Sequence, residues 1–243
     1  MTQPSTQLAT LTSPEAAERA AAGAVLAVPV GSTEQHGPHL PLTTDTDLAI
    51  ALCDQLGAQL ASQTGPGGPR PTVVVAPPIF YGSSGEHEGF AGTISIGQEA
   101  TELLLTELGR SATRTFSRVL LVSTHGGNTE AVGRAVARLR AESRDVSVWL
   151  PRWRGDAHAG RAETSLQLAL TPDAVRLDRA EAGNTTPIAE LMPALRATAV
   201  HGVSPNGVLG DPAGASADEG AALFRDLLAD LTAYLKRWPD ARP

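Results

Sequence analysis

The sequence has a single cysteine, few aromatic residues and no excess of basic residues, and each shortage excludes a class of protein. One cysteine in 243 residues cannot form an intrachain disulfide, so we expect a protein of the reducing cytoplasm. Aromatic residues make up 4%, so the core must consist mainly of Ala, Val and Leu. The 19 basic residues are outnumbered by 26 acidic ones, which argues against binding to nucleic acid, because that requires neutralisation of phosphates.

Long apolar runs are also missing. A transmembrane helix needs roughly 18 or more consecutive apolar residues, and no such run occurs, so we expect no membrane partner. The N-terminal segment lacks the basic and apolar regions of a signal peptide. Hydrophobic residues nevertheless make up 42% of the chain, enough for a packed core. We expect one domain over residues 1–243, with the Ser/Thr/Gln-rich residues 1–12 forming a flexible tail.

Short apolar runs alternate with amphipathic segments of helical length. The predicted strands are 25–30, 72–77, 118–123 and 146–150, and the predicted helices are 13–23, 45–61, 98–116, 129–142, 163–169 and 215–237. This alternation predicts an α/β layered domain with a mostly parallel sheet. In such folds the ligand site lies beyond the carboxyl ends of the strands, which directs attention to the loops that follow them.

Acidic residues and histidines are concentrated in those loops. They are Glu34, His36, His39, Asp45, Glu86, His87, Glu88, His125, Asp156, His158 and Glu163, which include five of the six histidines. Buried carboxylates and imidazoles are costly to pack together unless a cation compensates them, so we expect a divalent metal site. Mixed histidine and carboxylate ligands suit zinc, manganese or Fe(II) and exclude a thiolate site.

The spacing of these residues suits ligands that share one site. Glu34 and His36 are one residue apart, so in an extended segment both side chains point to the same side. Asp45 follows one loop later and has two oxygens with which to bridge two metals. His125 ends the third strand, and the glycines that follow it let the backbone pass close to the site.

Four segments resemble the creatininase-like amidohydrolases, and the resemblance extends from about Val25 to Leu235. They are GSTEQHGPHLPLTTD, GEHEGFAGTIS, HGGN and DAHAGRAETS. The resemblance implies a three-layer αβα sandwich with a mostly parallel central sheet, a homo-oligomer, and two divalent metal ions per chain, Fe(II), zinc or manganese. Transferred by position, it assigns Glu34, Asp45 and His125 to one metal. The second metal shares Asp45 and adds His36.

One ligand of the family cannot be transferred. Creatininase completes its second metal site with a glutamate two residues after the strand-end histidine, and this sequence has Gly127 there. We expect Glu163 to replace it, with an exposed acid in the first turn of a helix as the alternative. His158 matches a family histidine placed for proton transfer, although a hydrogen-bonded structural imidazole is the alternative. Glu86 and His87 are candidate substrate contacts or a helix-cap cluster.

Longer segments resemble one peptidase branch of the family. They are YGSSGEHEGFAGTISIG, RAEAGNTTPIAELMPALRA and GVSPNGVLGDPAGASADEG. This branch removes a C-terminal Val-Tyr dipeptide from a modified, ribosomally made precursor peptide. We therefore expect a metal-dependent C–N hydrolase in which a metal-activated water attacks the amide. The alternatives are a small-molecule amidohydrolase that opens a lactam or deformylates its substrate, and a metal-binding scaffold that recruits a precursor peptide. The presence of His158 argues against the scaffold.

Overall fold

A four-stranded parallel sheet lies at the centre of the structure. Its strands are β1 (Val25–Val30), β2 (Val73–Val75), β3 (Arg118–Ser123) and β4 (Val146–Trp149), in the order β2-β1-β3-β4. This computed structural model describes residues 6–62, 72–152 and 155–238. All carboxyl ends of the strands lie at the same edge of the sheet, because every pair is parallel.

Helices cover both faces of the sheet. They are α1 (Ser13–Ala21), α2 (Thr44–Ser62), α3 (Gly97–Ala112), α4 (Thr129–Ala141), α5 (Arg161–Leu170), α6 (Ile188–Val203) and α7 (Ala217–Arg237). Apolar side chains of α3 and α4 pack on one face, and those of α2, α5 and α7 pack on the other. The arrangement is the three-layer αβα sandwich that the sequence predicts.

The strands are mostly apolar because both faces of the sheet are covered. In β3, Val119 and Leu121 join the core beneath α3 and α4, whereas Leu120 and Val122 join the opposite core. All four side chains are fully buried. Successive strand residues point to opposite faces, so a parallel sheet between two helical layers favours apolar residues on both faces of each strand.

The predicted elements are present, with small shifts of their ends, but the sequence does not predict α6. This helix contains Pro193, and Ala199 lies inside it with a φ of 56° and a ψ of −174°, which kinks the helix. Proline lacks the N–H that an interior helical position donates. These two interruptions break the regular period from which a helix is recognised in sequence.

The start of the chain differs from the predicted flexible tail. Thr6 accepts a hydrogen bond from the backbone N–H of Val75 (2.7 Å), Gln7 forms a parallel bridge with Val75, and Leu8 packs against the core. Strand β2 lies at the edge of the sheet, where backbone groups are available to pair with another segment. The polar composition of residues 6–12 gives no sign of this pairing. Residues 1–5 of the predicted tail lie outside the described residues.

Among the described helices, none combines the length and the apolar character that crossing a membrane requires.

Candidate metal centre

The loop after β1 carries two of the candidate ligands, Glu34 and His36, and is tied to the start of α2, which carries Asp45. Thr46 donates a hydrogen bond to the carbonyl of Ser32 (2.8 Å), and the Ser32 hydroxyl donates to Asp45 Oδ2 (2.6 Å). A Cβ at Gly31 would overlap Thr46, so glycine is required for this close approach. The contacts hold Asp45, in the first turn of α2, beside the end of β1.

Three of the predicted ligands form a first buried cluster, which we call the Glu34 cluster: Glu34, Asp45 and His125. Glu34 Oε2 lies 3.1 Å from His125 Nε2, and Asp45 Oδ2 lies 3.2 Å from His125 Nδ1. All three side chains are at most 5% exposed. His125 is the second residue after β3, so this cluster joins the loops of two neighbouring strands.

A second cluster, which we call the His36 cluster, consists of His36, Glu163 and the other oxygen of Asp45. His36 Nε2 is 3.6 Å from Asp45 Oδ1 and 4.0 Å from Glu163 Oε2. Glu163 is in the first turn of α5, and its Oε2 accepts a hydrogen bond from the backbone N–H of Ala159 (2.6 Å). The two oxygens of Asp45 therefore face different clusters, which is the geometry that a bridging carboxylate requires.

Polar atoms of these residues that lack a hydrogen-bond partner fit a divalent metal ion. Both carboxylate oxygens of Glu34 and Nε2 of His36 are buried and have no hydrogen-bond partner among the described residues. His36 Nδ1 lies 3.2 Å from the Glu34 carbonyl, a contact that leaves Nε2 as the nitrogen directed at Asp45 and Glu163. Metal-binding histidines are held in this way, with one nitrogen on a carbonyl and the other on the ion. The donor set therefore suits a hard or borderline divalent cation.

The pKa values of the residues in the two clusters are shifted because buried acids and imidazoles lie close together. Burial disfavours the charged form of His36, but the charges of Asp45, Glu163 and Glu34 outweigh it and raise its pKa to about 9. Burial raises the pKa of Glu163 to about 7, against the opposing effect of His36. The neighbouring imidazoles overcome burial at Asp45 and hold its pKa well below the usual range. Protonated histidine therefore supplies the positive charge that a metal ion would supply.

We expect metal uptake to release protons. At pH 7 His36 is protonated, because its pKa is about 9, and Glu163 is partly protonated, because its pKa is about 7. Both must lose their protons before they bind metal, so the apparent affinity should rise as the pH rises towards about 9. Zinc titration of the metal-free protein in weak buffer, with a pH indicator, measures the release.

His39→Gln is the matched control for that titration. Burial lowers the pKa of His39 to about 4, so this residue is neutral at pH 7, and its Nε2 contacts Thr164 rather than the clusters. The variant should release as many protons as the wild-type protein. An affinity for zinc that is the same at about pH 6 and about pH 8 would contradict the expectation.

Gly127 and Glu86 explain how this site departs from the family pattern. A Cβ at position 127 would overlap the Glu86 carboxylate, the Ser83 carbonyl and His125, so a side chain there has no room. Glu86 Oε1 lies 3.6 Å from His125 Nε2, and its side chain is 36% exposed. Glu86 is thus the most exposed acid of this site, whereas Glu163 is only 11% exposed and faces His36.

Two further histidines face the Glu34 cluster. His87 Nε2 lies 3.4 Å and His158 Nδ1 lies 3.9 Å from Glu34 Oε1. Burial lowers the pKa of His87 to about 4, and it lowers the pKa of His158 well below the usual range, with help from the charge of His36. Both rings are therefore neutral. His158 lies just before α5, where the sequence places it, and its backbone pairs with Leu209.

The remaining candidates lie outside the clusters. Glu88 is exposed, and Asp156 accepts a hydrogen bond from the backbone N–H of Arg161 at the start of α5 (2.7 Å). Sequence reasoning missed Gln35, whose Nε2 contacts both histidines that face the Glu34 cluster, and Gly207, whose carbonyl accepts a hydrogen bond from Gln35. In the sequence Gln35 lies between the candidate ligands Glu34 and His36, and this position is the signal by which it could have been found.

A three-layer αβα fold whose strand ends gather buried carboxylates and imidazoles around a shared aspartate defines a metal-dependent hydrolase. The Creatininase family profile, described as creatinine amidohydrolase, matches residues 9–235, and the chain belongs to this family. Mycofactocin precursor peptide peptidase of Mycolicibacterium smegmatis is 51% identical over 216 residues, which cover 88% of this chain and 85% of that protein.

Two more distant proteins are also similar to this chain. Creatinine amidohydrolase of Pseudomonas putida is 32% identical over 204 residues, which cover 70% of this chain and 73% of that protein. A solved creatininase variant of the Zn-Zn type has a TM-score of 0.80 and 24% identity, covering 97% of this chain and 99% of that chain. The structural likeness establishes the fold that the sequence predicts.

Proposed function

We propose that the protein is a metal-dependent peptidase that cleaves an amide bond near the C-terminus of a mycofactocin precursor peptide and releases a Val-Tyr dipeptide. The observation that carries this proposal is the convergence of the Glu34 and His36 clusters on Asp45 at the strand ends. The 51% identity to a mycofactocin precursor peptide peptidase supports the choice of substrate, since the metal-binding residues themselves do not select one.

Five side chains would hold two metal ions. The proposed ligands are Glu34, His36, Asp45, His125 and Glu163. Two divalent ions, with Fe(II), zinc or manganese as the candidates, would polarise the scissile carbonyl and activate a water. Asp45 would contribute one oxygen to each ion, because its oxygens face different clusters.

We propose that His158 moves the proton of the reaction. Its ring is buried and neutral, and its Nδ1 points towards Glu34 Oε1 at 3.9 Å. A neutral imidazole accepts a proton from the attacking water and then donates it to the departing nitrogen, which is general acid–base catalysis. A scaffold that only binds metal would not need this histidine.

Exposed apolar side chains on the loop that carries Glu86 are our candidates for contacts with apolar residues of the peptide. Phe80, Tyr81 and Ile94 are 41%, 46% and 51% exposed, and they lie on the loops that carry Glu86 or contact Thr33. Exposed apolar side chains beside a polar site are typical of ligand contacts. Glu86 and His87 remain our candidates for substrate contacts, with the partly exposed Glu86 nearer to solvent.

Lactam opening or deformylation is the alternative, since it requires the same metal centre. The creatinine amidohydrolase of Pseudomonas putida is 32% identical to this chain, well below the 51% of the peptidase, so we favour the peptide. A homo-oligomer and a cytoplasmic location stay predictions from the sequence.

Incubation of the zinc- or iron-loaded protein with the modified precursor peptide should release Val-Tyr, which mass spectrometry detects. A peptide in which the last two residues are exchanged to Tyr-Val serves as the substrate control, and a chelated sample serves as the metal control. Hydrolysis should stop on chelation, because the ligand clusters need the ions to activate water. An intact precursor peptide together with turnover of creatinine would contradict the proposal and favour the small-molecule alternative.

A further inference from the structure

The side chain of Gln35 contacts His87, His158 and the loop that carries Gly207. It is 5% exposed, and its Nε2 lies 2.8 Å from His87 Nδ1, 3.1 Å from His158 Nε2 and 3.0 Å from the Gly207 carbonyl. An amide nitrogen has two hydrogens and therefore cannot donate to three partners equally well. The identity of the two true acceptors decides where the histidine protons lie.

The orientation of the Gln35 amide is determined at both ends. Its Oε1 accepts a hydrogen bond from the backbone N–H of Gly37 (2.8 Å), and a backbone N–H can only donate. Its Nε2 faces the Gly207 carbonyl, which can only accept. Exchange of the amide oxygen and nitrogen would break both contacts, so one amide hydrogen belongs to Gly207.

The backbone of Gln35 determines the tautomer of His158. His158 Nε2 lies 2.9 Å from the Gln35 carbonyl, and this contact is a hydrogen bond only if Nε2 carries the proton. In the neutral form of the ring the other nitrogen, Nδ1, is then unprotonated, and this nitrogen faces Glu34 at 3.9 Å. Because His158 Nε2 is itself a donor, the second amide hydrogen of Gln35 goes to His87 Nδ1.

His87 must then carry its own proton on Nε2. That nitrogen lies 3.4 Å from Glu34 Oε1, so the ring presents an N–H to the same carboxylate oxygen that His158 approaches with a lone pair. One residue thus gives the site a hydrogen-bond donor and a proton acceptor side by side; the two rings lie 4.4 Å apart between centroids.

We propose that Gln35 is a positioning residue that holds the proton of both rings on Nε2, His158 through its backbone carbonyl and His87 through its side-chain amide. His87 then donates a hydrogen bond into the site while His158 accepts a proton there. Gly207 supports the arrangement: its φ is +80°, and a Cβ there would overlap Gln35 Oε1. Only the kinetic consequence rests on the proposed function.

Nitrogen NMR of the zinc-loaded protein, labelled with ¹⁵N-histidine, tests the tautomers directly. In the wild-type protein both rings should be protonated on Nε2. Gln35→Glu keeps the shape but replaces the donor by an acceptor, so the proton of His87 should move to Nδ1. His158 should not change, because the backbone carbonyl that holds it is retained. On the proposed peptide substrate, kcat should fall about 10- to 100-fold, the usual effect of losing such a supporting contact.

Gln167→Glu is the control for placing a carboxylate at a buried amide. Gln167 is 1% exposed, and its Nε2 donates to the Thr44 carbonyl (3.0 Å) rather than to a histidine. The spectra of both histidines should stay as in the wild-type protein. Protonation of wild-type His87 on Nδ1, or an unchanged His87 in Gln35→Glu, would overturn the inference. If the spectra are as expected but the peptide is not cleaved, the proposed function is wrong, whereas the positioning role of Gln35 stands.

Discussion

Asp45→Asn is expected to lose both metal ions and, with them, hydrolysis of the amide. Asp45 Oδ1 faces His36 and Asp45 Oδ2 faces His125, so this side chain belongs to both clusters. Asparagine keeps the size, but it replaces one of the two oxygens by an NH₂ group, which cannot bind a cation. Elemental analysis after reconstitution should find less than about 0.3 metal ions per chain, against two for the wild-type protein.

Asp47→Asn is the matched control, since it removes a carboxylate from the same helix two residues farther on. Asp47 accepts a hydrogen bond from the Thr43 hydroxyl (3.0 Å) and belongs to neither cluster. This variant should bind two metal ions and retain its activity. Full metal loading of Asp45→Asn would contradict the bridging role, and loss of one ion alone would reduce Asp45 to a ligand of a single site.

His158→Ala should reduce kcat by roughly 10²- to 10⁴-fold, the usual contribution of general acid–base catalysis, and leave the metal content unchanged. His158 lies near both Glu34 and Glu163, but its Nδ1 is 3.9 Å from the nearer carboxylate oxygen of Glu34. Glu163→Gln should show the opposite pattern, with weaker binding of the second metal, because Glu163 Oε2 faces His36 at 4.0 Å. Metal titration and steady-state kinetics on both variants separate the two roles.

His201→Ala is the control for removal of a histidine. His201 lies outside both clusters, is exposed and packs against Phe90 with 5.5 Å between ring centroids. Its variant should match the wild-type protein in metal content and in kcat. If His158→Ala loses a metal ion while Glu163→Gln keeps two, the two assignments are reversed.

Most of the fold can be predicted from the sequence because its signals are local. The apolar strands and the amphipathic helices follow from the side-chain period of each segment, and parallel strands joined by helices leave few arrangements. Two parts were not predicted, because neither leaves a clear local signal in the sequence. Helix α6 is interrupted at Pro193 and Ala199, and residues 6–12 pair with β2 through backbone groups that composition does not reveal.

The sequence by itself determined that the loops after β1 and β3 meet at one edge of the sheet. Glu34, Asp45 and His125 follow β1 and β3, and strands that run parallel bring their carboxyl ends to one edge of the sheet. The positions of these residues relative to the predicted strands indicate which loops converge. They do not indicate the distance or the direction of a side chain.

Only the tertiary structure decided which atoms face each other. Asp45 turns one oxygen to each cluster, Glu86 fills the space that a side chain at position 127 would take, and Gln35 reaches a carbonyl 172 residues away in the chain. Each of these contacts joins segments that are distant in sequence and is set by how the loops pack. A hydrogen bond depends on its angle and on differences in distance of a few tenths of an ångström. A residue pattern does not contain that precision.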